Sequence, residues 1–127
     1  MSHRKYTFIK KYLHFANNAT YDPAIHLQPK LNKIWPVYFH LNRKFQEAYT
    51  PQQHITIDSL MLYKGRLGWV QYIPMKRARF GIKSYFLGES KSGYIWSSLI
   101  YTGKGTIIGK QQYANLPMST EVVMALM

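Results

Sequence analysis

The chain has 127 residues, 46% of them hydrophobic, which fits one folded domain or part of one and argues against wholesale disorder. Lys and Arg number 17 against 5 Asp and Glu, a formal charge of +12, so the expected partners are polyanions, nucleic acid first and an anionic membrane surface second. Chemistry that needs an acid cluster is tightly constrained, and the absence of Cys excludes a disulfide framework, a thiol nucleophile and a Cys-based zinc site.

The apolar runs fall far short of a membrane span, and Lys10 and Lys11 interrupt what would be the apolar part of a secretory signal. No acid precedes Asp22, as in mitochondrial presequences, but the segment is Lys-rich and holds a single Ser. Residues 2–15 read as a helix: Ser2 is a cap, and Tyr6, Ile9 and Leu13 recur at helical spacing between lysines. Asn17 and Asn18 end it, and a loop marked by Asp22-Pro23 and Pro29 follows. A second helix is predicted over 31–49, with Ile34, Tyr38, Leu41, Phe45 and Ala48 on one face. Pro36 either sits in its first turns, where a missing N–H matters least, or kinks it; Thr50-Pro51 ends it.

The pattern then changes. Residues 54–58 form a short β-branched run ending in Asp58, and 69–73 are a second strand candidate stopped by Pro74. Residues 82–89 and 94–101 are the strongest strands, joined by Ser90-Lys91-Ser92-Gly93 into an antiparallel hairpin. Gly103, Gly105 and Gly109 mark a turn-rich stretch, and Ser119 or Thr120 is a candidate cap for a last helix from Glu121. Two turns of apolar helix are too short to stand alone. Two readings follow, a helix docked on the sheet or a chain stopped inside a larger fold, and the second is the stronger expectation.

Asp58, at the end of a β run, is the most interesting single residue, because two-metal phosphoryl-transfer sites use carboxylates projecting from strand ends. One Asp cannot form such a site, and Asp22, Glu47, Glu89 and Glu121 are scattered; Glu89, at a strand end, either approaches Asp58 across a sheet or, the preferred reading, is solvated beside the hairpin turn. The histidines His3, His14, His26, His40 and His54 show no zinc spacing, and Gly103-Lys104-Gly105-Thr106 is a weak match to a phosphate loop. The basic stretch from Tyr63 to Lys83 is the better signal. It holds Lys64, Arg66, Lys76, Arg77, Arg79 and Lys83 with no acid, interleaved with Tyr63, Trp69, Tyr72 and Phe80. Phosphates want the charges and unpaired bases want aromatic faces; for the aromatics alone, packing into a core is the preferred reading.

The string ITIDSLMLYKGRLGWVQYIPMKRARFGIKSYFLGESKSGYIWSSLIYTGKGT resembles the start of the catalytic domain of piggyBac-type DNA transposases, and RKYTFIKKYLHFANN and PKLNKIWPVYFHLNRKFQEAYTP resemble the helical segment before it. The most specific elements are the Asp58 context, Lys64-Gly65-Arg66, Gln71-Tyr72-Ile73-Pro74 and Phe80-Gly81-Ile82-Lys83. The resemblance implies an α+β chain: N-terminal helices over 1–52, then over 53–127 an incomplete ribonuclease-H-like fold of three antiparallel strands and the start of the first helix. It implies a family active site of three aspartates with magnesium, cutting DNA and joining a 3′ hydroxyl to target DNA. Asp58 falls at the first aspartate. Ser59 follows it where the family usually has Glu, the spacing to Lys64 is one residue short, and no Asp occurs after Asp58.

The expectation is therefore a transposase-derived fragment that is not an enzyme on its own, with Asp58 a vestigial catalytic and metal-binding residue and no cofactor of its own. The alternative is a domesticated, sequence-nonspecific DNA-binding module using Lys64, Arg66, Lys76, Arg77, Arg79 and Lys83. DNA is the expected partner, no membrane is, self-association through an exposed sheet edge is expected, and the resemblance implies a nuclear location.

Overall fold

The computed structural model describes every residue except 25, 27, 62–66, 78, 104, 105, 107 and 109–115, and the backbone alone at Met61. The chain forms two compact units, Met1–His40 and Leu41–Met127.

In the first unit, helix α1 spans His3–Tyr12. Ser2 Oγ accepts the Lys5 N–H at 3.3 Å, and Lys10 and Lys11 occupy the last turn, where positive charge suits the carbonyl end of the helix. The expected extension to residue 15 fails because Leu13 is already extended. Local side-chain bonds shape the segment after it. Asn17 Oδ1 accepts the Ala19 N–H and Asp22 Oδ1 the Ala24 N–H, each at 2.9 Å, and Tyr21 OH donates to the Pro29 carbonyl at 3.0 Å.

Helix α2 covers Trp35–Ala48 rather than 31–49. Residues Pro29–Leu31 wind more tightly, with Leu31 N–H bonded to the Gln28 carbonyl and Ile34 N–H to the Leu31 carbonyl, both at 2.9 Å. Pro36 is thus the second residue of α2, where it removes no helical bond and causes no kink. On the apolar face of the predicted helix, Ile34, Leu41 and Phe45 are exposed. Residues of α2 from Leu41 onward belong to the second unit.

That unit is built on an antiparallel sheet in the order β1–β4–β5, from β1 (Ile55–Met61), β4 (Lys83–Glu89) and β5 (Ile95–Tyr101). The β4–β5 hairpin is the one predicted. Gly93, at φ 72, provides the left-handed residue that its turn needs, and Glu89 N–H meets the Tyr94 carbonyl at 3.0 Å. A bulge lies between Leu87 and Gly88, where the partner shifts from Ser97 to Ile95. A separate two-stranded ribbon pairs β2 (Gln71–Tyr72) with β3 (Phe80–Gly81). The strand candidate over 69–73 is therefore only two residues long, ended as expected before Pro74.

Helix α3, Met118–Leu126, packs on one face of the three-stranded sheet. Its Val122 (2% exposed) and Leu126 (1%) join Leu87 and Ile108, with Leu99, Tyr101 and Tyr85 around them. The helix is docked on the sheet, and that packing is compatible with both readings. Neither Ser119 nor Thr120 caps it; both lie inside the first turn, and Pro117 holds the cap position without a side-chain bond to the first N–H groups. The three helices, the antiparallel sheet and their order are consistent with a partial ribonuclease-H-like fold.

Candidate nucleic-acid interface

Asp58 is the fourth residue of β1, not its last, because the ladder with β4 continues through Ser59↔Tyr85 and Leu60↔Ser84 to Met61↔Lys83. Strand pairing is a main-chain matter, so a polar Asp-Ser pair on an outer strand does not stop it. Asp58 lies in a row with Phe86 and Ser98, one position out of phase with Leu87 and Ser97, so its side chain stands on the sheet face opposite α3. It is exposed, and its Oδ1 already accepts the Ser59 N–H at 2.6 Å.

The other carboxylates named above lie elsewhere. Glu47 sits between Arg43 (3.3 Å) and Lys44 (2.6 Å) on α2, and Glu121 is on α3, across the sheet. Glu89 corrects the sequence expectation most sharply, for it is 3% exposed rather than solvated. Its carboxylate accepts Tyr49 OH at 2.9 and 3.0 Å, the Gln52 N–H at 2.9 Å and the Ser92 hydroxyl. The Ser92 hydroxyl and then the Gln52 N–H hold it below the usual carboxylate range, and the bond to Glu89 in turn pushes the Tyr49 phenol up. Glu89 thus fastens the chain leaving α2 onto the hairpin. Among the described residues no three His, Asp or Glu side chains gather as metal ligands.

The cations divide differently. Lys76, Arg77 and Arg79 are exposed on the loop joining β2 to β3, and no carboxylate among the described residues lies within ion-pair distance of them. Lys83 is on β4, half-buried, with Nζ 4.7 Å from the centre of the Tyr85 ring. Lys64 and Arg66 lie outside the described residues, as do Tyr63 and the middle of the Gly103–Thr106 stretch. The loop is tied at two points. Ile73 N–H bonds the Arg79 carbonyl at 2.8 Å, and Lys76 Nζ reaches the Ser59 carbonyl at 3.0 Å, one residue from Asp58.

Two of the interleaved aromatics depart from the core reading, while Trp69 is half-buried. Tyr72 and Phe80 face each other across the ribbon, ring centres 4.7 Å apart, and remain 55% and 63% exposed. The alternate positions, Gln71 and Gly81, turn inward, so period-two alternation in so short a ribbon puts both rings on the wet side. The sequence signal was the near-symmetric placing of two aromatics about Pro74–Arg79, legible only once the residues on either side are seen to pair.

The Transposase IS4 family model matches residues 1–127. The human PiggyBac transposable element-derived protein 3 is 32% identical over 102 residues, 80% of this chain and 16% of that protein. The human Chimeric ERCC6-PGBD3 protein is likewise 32% identical over 102 residues, which make up 9% of its length. Among solved structures, a cryo-EM structure of a piggyBac transposase synaptic complex with hairpin DNA superposes with a TM-score of 0.82 at 24% identity, over 99% of this chain and 25% of that one. The chain spans a small part of each relative. The whole-length match of the family model, with 32% identity to a piggyBac-derived protein, establishes that this chain belongs to the IS4-type transposase family, in its piggyBac-type group.

Proposed function

We propose that these 127 residues bind DNA through sequence-independent phosphate contacts and do not by themselves cut or join strands. The observation that carries the reading is the β2–β3 loop, which presents Lys76, Arg77 and Arg79 to solvent with no carboxylate partner in a chain of charge +12. Lys64 and Arg66, in the same basic stretch, and Lys83 on β4 extend the proposed contact set. The solved relative is itself a complex with hairpin DNA, which supports the class of partner. Asp58, the position of the first family aspartate, has no carboxylate of this chain engaged with it, and this supports the absence of cleavage. Among the described residues no helix is long and apolar enough to cross a membrane. Family membership supports a nuclear location, to be checked by imaging a fluorescent fusion. The division into a helical segment over 1–52 and a catalytic-domain segment over 53–127 belongs to the same proposal.

Fluorescence anisotropy with a labelled duplex tests it. The three loop cations alone give a slope of about 2.7 in log affinity against log salt, or about 40-fold weaker binding at 200 than at 50 mM, and all six give a slope of about 5.4. Salt-independent affinity would refute the binding, and magnesium-dependent nicking that vanishes in Asp58→Ala would refute the lack of cleavage.

A further inference from the structure

The geometry points to the Tyr72–Phe80 pair as a stacking platform for unpaired bases, so that the chain prefers DNA carrying unpaired bases to intact duplex. The inference rests on the DNA-binding reading above and adds to it which form of DNA the surface takes.

Three observations converge on this ribbon. Its two aromatic rings are the outward side chains of one cross-strand pair, Tyr72↔Phe80, and more than half of each is open to solvent. The rings are tilted by 37° rather than stacked flat, so each keeps an open π face beside its neighbour. The loop that continues directly from both strands carries Lys76, Arg77 and Arg79, and its Met75 is 93% exposed, so the charges sit within a few residues of the rings. Groups that bind single strands combine these two parts: cations that track the backbone, and aromatic faces that any base can cover. An intact duplex offers the cations its phosphates but keeps its base faces stacked on one another. Only an unpaired or extruded base can lie on the rings.

Other occupants fit less well. An apolar protein segment would cover the rings but would offer no anionic partner to the three cations at the edge of the contact. A nucleic-acid strand meets both requirements at once, through charge complementarity at the loop and stacking at the ribbon. The contact with Ser59 adds a position: Lys76 Nζ ties the loop to β1, one residue from Asp58.

The test compares two labelled DNAs of equal length at one salt concentration, a full duplex and the same duplex with a central gap of unpaired thymines. The 127-residue chain should bind the gapped DNA on the order of tenfold more tightly, the effect of about one stacked base. Tyr72→Leu and Phe80→Leu keep a cross-strand apolar contact and remove the π face. Each should bring the gapped DNA down towards duplex affinity and leave duplex binding and its salt slope unchanged. Phe80→Trp should restore the preference. Replacing Lys76, Arg77 and Arg79 with Gln should weaken both DNAs alike. Equal affinity of the unaltered chain for both DNAs, or a preference that survives both Leu substitutions, overturns the stacking inference and leaves duplex binding standing. Failure to bind either DNA overturns both readings.

Discussion

Leu126→Ala is the perturbation that bears most directly on how this small core holds together. Leu126 is 1% exposed at the end of α3, against Leu87, Ile108 and Val122, so its side chain is one of the few fully desolvated ones in the second unit. Truncation removes three buried carbons, about 2.4 kcal/mol of transfer free energy at roughly 0.8 kcal/mol per methylene. A fully preserved cavity would add about 2 kcal/mol more, but a single helix resting on a sheet can settle inward, so about 3 kcal/mol in all is expected. For a chain of this size that is a fall of roughly 10 °C in melting midpoint. Urea and thermal unfolding followed by circular dichroism give the number. Val123→Ala, three residues earlier on α3 but exposed, is the control and should shift stability by no more than about 0.5 kcal/mol. Equal midpoints for the two variants would mean that α3 is not docked through Leu126, and the assignment of the core would fall with it.

Glu89 sets a pH window. Its carboxyl is held below the ordinary value of 4.5, so the stability it contributes is complete above that value and is lost as pH falls through the lowered one. Tyr49, raised above 10.0, contributes below that value and loses its contribution as pH climbs past the raised one. Acid unfolding of Glu89→Gln should consequently begin from a less stable state and show a shallower pH dependence, and an unchanged acid limb would contradict the role of this residue. Gly93→Ala forces a side chain into φ 72 and should destabilise by about 1 kcal/mol, whereas Gly68→Ala, with nothing within 4 Å of the added carbon, should be close to neutral by the same unfolding measurement. We also propose that β1, with Ile55, Ile57 and Leu60 exposed, drives self-association through its open edge; Ile57→Lys should shift a concentration-dependent sedimentation profile towards monomer, and a profile already monomeric in the unaltered chain would dispose of the idea.

Much of this molecule is written locally. The capping of α1 by Ser2, the hairpin around Gly93 and the stop at Pro74 each depend on residues a few positions apart, and the sequence alone placed them. The family, too, was legible in the run from Ile55 to Thr106, because a motif is a string of neighbours. What depended on distant residues was not. Asp58 reads as a strand end from its β-branched neighbours, yet it lies mid-strand because β4, some thirty positions on, keeps pairing with it. Glu89 reads as a solvated turn residue, and only the return of Tyr49 and Gln52 to the hairpin buries its charge and satisfies it. Tyr72 and Phe80 read as core by hydrophobicity, since burial is a property of what packs on a residue and not of the residue itself. Pairing across the ribbon turned both rings outward beside three cations, and that juxtaposition was decided by the tertiary structure alone.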